Sequence, residues 1–149
     1  MSKVHIGEFR YEYVEELVRM WRESFEFGVG VLDPHPIREQ EQALLAEVVP
    51  NNTVRVAFLE GRMVGFIAAS TESISQLYVR KGYDRRGIGS LLLQWAKEQS
   101  AGSLWLYTFE RNAAARAFYE HHGFRIVARG HEPHWDLDDL KYEWHSNAV

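Results

Sequence analysis

The sequence contains no cysteine, and none of its apolar runs approaches the ~20 residues that a membrane-spanning helix needs. The absence of cysteine excludes thiol catalysis, thiolate zinc sites and disulfides. The N-terminus shows neither an apolar signal core nor an Arg/Ser-rich transit pattern. We therefore expect a cytoplasmic protein with no membrane partner.

Neither sign of charge dominates, because 17 Lys and Arg stand against 21 Asp and Glu. This balance gives no overall attraction to phosphate backbones, so no nucleic-acid partner is expected. A chain of 149 residues can bury a core without disulfides or a structural metal, and no linker or repeat divides it. We expect one domain over residues 1–149.

Hydrophobic periodicity predicts the order strand, two helices, three strands, helix, strand, helix, two strands. The first helix follows Val14 to Phe25 and is expected to end at Gly28 and Gly30, and Pro50 is expected to end the second. Residues 88–99 match the amphipathic helix template throughout. The order predicts an α/β (α+β) fold with helices covering a mostly antiparallel sheet.

Residues 77–92 carry the first informative motif, in which a strand meets a helix through a basic, glycine-punctuated loop. Backbone N–H groups at such a junction, together with the helix dipole, favour an anion. The loop is no nucleoside-triphosphate loop, since Ile88 and Gly89 replace the required Lys and Ser/Thr. Leu92 replaces the third glycine of the dinucleotide fingerprint. A plain connecting turn is the alternative.

Residues 112–124 carry the second motif, Asn-x-x-Ala-x-x-Phe-Tyr-x-x-x-Gly-Phe. It predicts a helix with Asn112 at its N-cap and Gly123 at its C-cap. Helical spacing places Ala114, Ala117, Phe118 and His121 on one face, and Ala115, Tyr119 and His122 on the next. We expect Tyr119 beside the core stripe, with small alanines that admit an elongated ligand.

Together the two motifs resemble the GCN5-related N-acetyltransferase (GNAT) superfamily, although residues 1–50 match only in pattern. The resemblance implies splayed central strands and acetyl-coenzyme A as co-substrate in the cleft between them, with its pyrophosphate on the loop amides. The implied cofactor-binding positions are Leu77, Tyr78, Val79, Asp84, Arg85, Arg86, Gly87, Ile88, Gly89, Ser90, Asn112, Ala115 and Phe118.

Tyr119 falls at the family's usual general acid, which protonates the departing thiolate, and the Val79 N–H would meet the carbonyl oxygen. The alternative for Tyr119 is an amphipathic tyrosine at the core edge. Asp84 stands where the family usually has Gln or Arg, and Lys81 where it often has proline. A carboxylate near phosphates is unfavourable unless Asp84 turns toward Arg85 or Arg86.

The general base stays open. The histone-acetylating branch of the family has a glutamate where we align Ser73, and serine cannot do that work. The other candidates are Glu72, Glu110, His131, His134 or a water chain. Residues 131–136 cluster metal-capable side chains, but Pro133 opposes a helix that would align the imidazoles, so no metal is expected.

The expected activity is direct transfer of acetyl from coenzyme A to a primary amine through a ternary complex, since no thiol can carry the acetyl group. The acceptor would be a small amine or a peptide N-terminus, attracted by the acidic stretch 132–143 and by the acidic residues of the first helix, Glu12, Glu15 and Glu16. A non-catalytic coenzyme A or acyl-coenzyme A sensor is the alternative. Trp135 and Trp144 would belong either to a homodimer surface or to the core.

Overall fold

The computed structural model describes residues 3–146, so the ends of the expected domain, residues 1–2 and 147–149, lie outside the described residues. The predicted order of elements is confirmed. In chain order the elements are β1 (Val4–Glu8), a 3₁₀ turn (Tyr11–Tyr13), α1 (Val14–Val29), α2 (Ile37–Ala43), a π-helical segment (Leu44–Val48), α3 (Val49–Asn51), β2 (Thr53–Leu59), β3 (Arg62–Ala69), β4 (Ile74–Val79), α4 (Ile88–Gln99), β5 (Ser103–Phe109), α5 (Ala113–His121), β6 (Arg125–Glu132) and β7 (Leu137–His145).

Two helix ends differ from the prediction. Helix α1 continues through Gly28 and ends at Gly30, whose φ of 78° only a residue without Cβ adopts easily. A Cβ at Gly28 would lie 3.0 Å from the Asn112 amide nitrogen, so this glycine allows α1 to pack closely against the start of α5. Pro50 lies inside α3 because a proline at the start of a helix loses no hydrogen bond.

The strands form two antiparallel sheets, in the orders β1-β2-β3-β4 and β5-β7-β6. Strands β2 and β3 form a hairpin, whose turn residues Glu60 and Gly61 have φ of 52° and 77°. Two consecutive left-handed residues give the turn the twist that antiparallel strands require. The helices pack on these sheets, and the mixed α/β fold predicted from the sequence is confirmed.

The two sheets meet where β4 and β5 begin and separate beyond that point. Among the described residues, a parallel bridge joins Ser73 to Trp105, and the Trp105 N–H donates to the Glu72 carbonyl at 3.1 Å. The remainder of β4 has β3 on one side, and the remainder of β5 has β7. The expected splay of the central strands is therefore present.

Two hydrophobic clusters hold this framework. One packs α4 and α5 against both sheets, with Leu92, Leu104 and Tyr142 fully buried. The other packs α1 and residues 37–49 on the opposite face of the first sheet, around Leu17 and Phe66. Because β3 is covered on both faces, its residues 63–69 are all buried. Strand β4 is therefore paired with a fully packed strand. Within residues 3–146, no helix is long and apolar enough to cross a bilayer.

The expectation that Tyr119 lies beside the core stripe of α5 is wrong. Tyr119 is 7% exposed, and its ring packs against Phe124 and Tyr142 with centroid distances of 5.5 and 6.3 Å. Ala114 and Ala117 are exposed instead. Alanines on both sides of this short helix leave its hydrophobic face undecided by pattern, and the large aromatic ring gains most from burial.

Candidate active site

A cleft of about 660 Å³ opens where β4 and β5 separate. Residues 74–78 of β4 form one wall and residues 106–109 of β5 the other. Helix α5 contributes Asn112, Ala115 and Tyr119 to its lining. The remaining lining comes from α1, the connection 30–36, residues 39–47 and the β6–β7 turn with its flanks. The cleft therefore joins residues from both predicted motifs to segments that no motif marked.

The glycine loop lies at one end of this framework and leads into α4. Gly87 is the N-cap of α4 with φ of 79°, and no side chain caps the helix. The first-turn N–H groups, those of Ile88, Gly89 and Ser90, thus have no partner within the helix. A Cβ at Gly82 or Gly87 would meet nothing within 4 Å, so the loop surface is open. An uncapped, open N-terminus of a twelve-residue helix fits a phosphate group.

The cations of this loop divide into two groups. Arg80 faces inward, where its Nε donates to the Met63 carbonyl at 2.7 Å and its guanidinium pairs with Glu16. Among the described residues, neither Arg85 nor Arg86 forms an ion pair. The loop therefore presents two guanidinium groups that are not neutralised by carboxylates.

Asp84 is exposed and pairs with neither neighbouring arginine in the described part of the chain. The compensating turn of Asp84 toward Arg85 or Arg86 is therefore not observed. Arg86 lies instead over the Tyr83 ring at 5.1 Å, a cation–π contact that holds the guanidinium beside the loop.

The edge of β4 presents backbone donors to the cleft. Gly65 and Val79 face each other in the β3–β4 ladder, next to the Val64–Arg80 pair whose N–H···O bond measures 2.7 Å. Antiparallel registers alternate, so the Val79 N–H and carbonyl point away from β3. The carbonyl accepts a 2.9 Å hydrogen bond from the Ser24 hydroxyl. The Val79 N–H is left facing the open side of the strand.

The two sequence motifs contact each other where α4 and α5 meet. A Cβ at Gly89 would lie 3.2 Å from the Phe118 ring, so glycine is what allows this ring to pack on α4. Asn112 caps α5 as predicted, its side-chain oxygen accepting from the Ala115 N–H at 3.2 Å. Ser90 and His122 share a 3.1 Å hydrogen bond. Of the predicted cofactor-binding residues, Leu77, Tyr78, Asn112 and Ala115 line the cleft, whereas Val79, residues 84–90 and Phe118 are not among the described residues that line it.

Tyr119 and Tyr78 line the cleft where β4 approaches α5. Burial raises the pKa of Tyr78 to about 12, with a hydrogen bond from Trp21 partly offsetting that rise. Burial also raises the pKa of Tyr119, and the neighbouring Tyr78 adds to the rise. Both phenols therefore stay protonated at neutral pH and can donate a hydrogen bond into the cleft.

The end of the cleft away from the glycine loop is acidic and aromatic. We call it the acceptor end; it comprises residues 33–47 together with residues 132–139. Five carboxylates line the cleft, and among the described residues that line it there is no Lys or Arg. The carboxylates are Asp33, Glu39, Glu47, Glu132 and Asp139. Such a lining attracts cations.

Two loops meet across the acceptor end. His35 stacks on His134 with ring centroids 4.9 Å apart, and Trp135 packs on Phe25 at 4.9 Å. The His35 Nδ1 lies 2.7 Å from a carboxylate oxygen of Asp33. No sequence motif marked Asp33 or His35. The ring partners of His35, which are His134 and Trp135, lie about a hundred residues further on, so no local spacing indicates that contact.

The predicted base candidates occupy three different places. Within the described residues, His134 lines the cleft, whereas Glu110 and His131 line a separate cavity of about 350 Å³. Glu72 is exposed in the turn before β4. The Ser73 hydroxyl lies 3.2 Å from the Ser70 hydroxyl, in the hydrogen-bonded turn that precedes β4.

The acidic residues of the N-terminal segment do not reach the cleft, contrary to expectation. Glu12 pairs with Arg10, Glu15 with Arg19 and Glu16 with Arg80. They lie on the outer surface of the 3₁₀ turn and α1, because their helical positions are opposite the buried stripe of Leu17 and Val18.

Residues 131–136 form hydrogen bonds among themselves. His131 lies 2.8 Å from both Asp136 and Asp138, and these two hydrogen bonds raise the pKa of His131. Among residues 3–146, no group of three or more His, Asp or Glu side chains is arranged to hold a metal ion. Trp135 lines the cleft, and Trp144 packs on Phe124 at 6.4 Å, which leaves both partly buried.

Comparisons with known proteins agree with this architecture. Residues 50–126 match the family model for the acetyltransferase (GNAT) domain. The peptidyl-lysine N-acetyltransferase YjaB of Salmonella typhimurium is 27% identical over 138 residues, covering 92% of this chain and 90% of that protein.

Two solved structures share the fold. The apo form of YjaB from Escherichia coli superposes with a TM-score of 0.79 at 24% identity, covering 97% of this chain and 99% of that one. The PaiA N-acetyltransferase of Thermoplasma acidophilum, solved in complex with coenzyme A, gives a TM-score of 0.75 at 20% identity over 96% and 99% of the two chains.

Proposed function

This chain belongs to the GNAT acetyltransferase family, and we propose that it transfers the acetyl group of acetyl-coenzyme A directly to a cationic primary amine, first of all a lysine side chain. It is an acetyl-coenzyme A-dependent acetyltransferase. We also propose that the protein is cytoplasmic and that the residues discussed below have the roles given there. The observation that carries it is the cleft itself: one of its walls, β4, leads into a phosphate-compatible loop, and its lining includes five carboxylates.

The cofactor would lie along β4 and α5. The open, uncapped N-terminus of α4 and the unpaired guanidinium groups of Arg85 and Arg86 fit the pyrophosphate. Leu77, Tyr78, Asn112 and Ala115 line the path from that loop toward Tyr119. Bound acetyl-coenzyme A would supply an activated thioester to the cleft between β4 and β5.

The charge of the acceptor end supports a cationic acceptor. Five carboxylates with no Lys or Arg among the described lining residues raise the local concentration of ammonium groups and repel acidic molecules. A lysine Nζ carries that charge on a long, flexible stem that can enter a cleft between two strands. The name of the Salmonella relative, a peptidyl-lysine N-acetyltransferase, supports the same choice over a small amine or a peptide N-terminus.

Tyr119 is the proposed general acid. When the amine attacks the thioester, negative charge develops first on the carbonyl oxygen and then on sulfur. The Val79 N–H faces the side of β4 from which the carbonyl oxygen would be approached. The protonated phenol of Tyr119, which makes no hydrogen bond to the residues that the structure describes, can protonate the leaving sulfur.

The absence of cysteine supports direct transfer. An acetyl-enzyme on sulfur cannot form in a chain that has no thiol. Both substrates would therefore occupy the cleft together, one entering from the glycine loop and the other from the acceptor end.

The test uses a thiol reagent to measure the coenzyme A that the reaction releases. The enzyme itself does not react with the reagent, because it contains no cysteine. Three peptides of one sequence are compared: a lysine with a blocked N-terminus, an acetylated lysine with a free N-terminus, and both blocked. We expect turnover with the first peptide, with the acetyl group on Nζ by mass spectrometry. Turnover confined to the second would reassign the acceptor to a peptide N-terminus, and release without acetylated peptide would mean hydrolysis.

A further inference from the structure

The proposed reaction needs a proton acceptor at the acceptor end. A lysine ammonium ordinarily titrates near pH ~10.4, so at neutral pH its nitrogen lone pair is almost fully occupied by a proton. Attack on a thioester requires that lone pair. Ser73 cannot serve, and Glu110 and His131 lie at another cavity. The residues that line the acceptor end must then supply the base or hold the water that does.

We propose that His35 is the general base and that Asp33 positions it; this inference rests on the proposed function. The His35 Nδ1 lies 2.7 Å from Asp33 Oδ1, and the His35 backbone N–H donates to the same oxygen at 2.9 Å. Two bonds to one carboxylate fix the imidazole. With Nδ1–H donating to Asp33, the Nε2 lone pair is the free basic position on a ring that lines the cleft.

Asp33 is itself firmly held, as a positioning residue must be. Its side chain is 10% exposed, and its second oxygen lies 3.5 Å from Arg22 Nη2. The Asp33 backbone N–H donates to Glu26 at 2.7 Å, and the Arg22 Nε donates to Gln40 at 3.0 Å. These contacts anchor the connection between α1 and α2 to both helices, so the imidazole is attached to a rigid support.

Other groups in the cleft are less suited. His134 stacks on His35, but no carboxylate orients its ring in the described residues. Glu132 already accepts the backbone N–H groups of His134 and Trp135, at 3.0 and 2.6 Å. Glu39, Glu47 and Asp139 are carboxylates, and a carboxylate is intrinsically a weaker base than an imidazole.

The proton balance is complete. The ammonium N–H bond breaks and its proton moves to His35 Nε2, after which the amine forms the C–N bond. As the C–S bond breaks, Tyr119 gives its phenolic proton to sulfur. The nitrogen still carries one proton more than the amide product, and this proton passes to Tyr119 and restores the phenol. The products are an amide, the thiol of coenzyme A and a protonated His35, which returns its proton to solvent. The charged and titratable groups around this imidazole are Asp33 and the stacked His134, with Arg22 and Glu26 on the far side of Asp33; Glu39 and Glu132 line the same cleft.

The test compares kcat/KM against pH for the wild type and His35→Gln, using the N-terminally blocked lysine peptide. The wild type should show an acidic limb, because a protonated His35 cannot accept the proton of the ammonium group. In His35→Gln, kcat/KM should fall about 100-fold at pH 7, and the acidic limb should be absent. At high pH, where the lysine amine is already deprotonated, kcat/KM of the variant should approach that of the wild type. The matched control is His131→Gln, which removes another imidazole held by aspartates, but one outside the main cleft; its profile should match the wild type. Acetyl-coenzyme A affinity, expected to be equal in all three, verifies folding.

Asp33→Asn tests the positioning role separately. Loss of the carboxylate removes the acceptor that holds the imidazole Nδ1–H, so kcat/KM should fall by about tenfold while the acidic limb remains. Imidazole added to His35→Ala should restore part of the rate. If the wild type acetylates the peptide and kcat/KM of His35→Gln equals that of the wild type, or is lower by the same factor at every pH, His35 is not the base. The proposed acetyl transfer would still stand. A wild type that binds acetyl-coenzyme A and acetylates no amine overturns both.

Discussion

The two ends of the cleft are built in opposite ways. At the proposed cofactor end the site is made of backbone: glycines, the first turn of α4 and the edge of β4, supported by two arginines that follow one another in the chain. At the acceptor end it is made of side chains from distant segments, and its charge is negative. A backbone site requires glycine at fixed spacing and leaves a readable pattern. A side-chain site is free to draw its members from anywhere in the chain.

Tyr119 lies where these ends meet, so its substitution is expected to have the largest effect on the reaction. Tyr119→Phe keeps the buried ring and removes the proton donor, and kcat should fall about 100-fold, or ~2.7 kcal/mol. The dissociation constant for acetyl-coenzyme A should not change, which calorimetry can measure. Because burial raises the pKa of Tyr119, the donor form persists above neutral pH and wild-type kcat should not decline near pH 10.

The control for that prediction is Tyr11→Phe, which removes a phenol that is 76% exposed outside the cleft. Its kcat should equal that of the wild type. If Tyr119→Phe turns over as fast as the wild type, Tyr119 does not protonate the leaving sulfur.

Reversing one charge at the cofactor end should weaken the cofactor and leave the acceptor end unaffected. Arg86→Glu places a carboxylate beside the phosphates, and we expect the acetyl-coenzyme A dissociation constant to rise at least tenfold. Arg10→Glu makes the same change beyond β1, at the opposite edge of the first sheet from β4, and should have no effect. Titration calorimetry on both variants separates local from overall charge; an equal loss in both would argue against a phosphate site at the loop.

Neutralising the acceptor end should have the reverse signature. Glu39→Gln, Glu47→Gln and Asp139→Asn together should raise the KM for the lysine peptide about fivefold, with kcat and cofactor affinity retained. The wild-type KM should rise with ionic strength, and that dependence should shrink in the triple variant. If KM in both proteins responds to salt alike, the carboxylates do not guide the acceptor.

The smallest effect is expected where the two motifs touch. Alanine at Gly89 would favour the helix by up to ~1 kcal/mol but would place a Cβ 3.2 Å from the Phe118 ring. We expect thermal stability to change little and acetyl-coenzyme A affinity to fall about threefold, because the displaced ring belongs to the proposed cofactor surface. Unchanged affinity would show that this contact does not shape the site.

The same contrast explains what the sequence could predict. Helix α4 has the predicted bounds, and the N-cap of α5 lies at Asn112, because periodicity and capping are local properties. The splay of β4 and β5 followed from the family resemblance. The face of α5 could not be predicted, since alanines occupy both of its sides and the Tyr119 ring decided its orientation through contacts with Phe124 and Tyr142.

The acceptor end escaped prediction for a different reason. Asp33 and His35 belong to no sequence motif, and the role proposed for them depends on a β6–β7 turn that brings His134 and Trp135 onto His35. The ends of β6 and β7 that flank this turn carry little hydrophobic pattern, because most of their residues are exposed or only partly buried. The position of that turn relative to residue 35 is a tertiary property and leaves no local signal.

Initial-rate kinetics with both substrates varied test the central claim, that acetyl-coenzyme A and a cationic amine occupy one cleft together. For a ternary complex, double-reciprocal lines at different peptide concentrations intersect, and the account predicts this pattern for the wild type. Parallel lines would mean that the acetyl group rests on the enzyme before the amine binds, and they would contradict it.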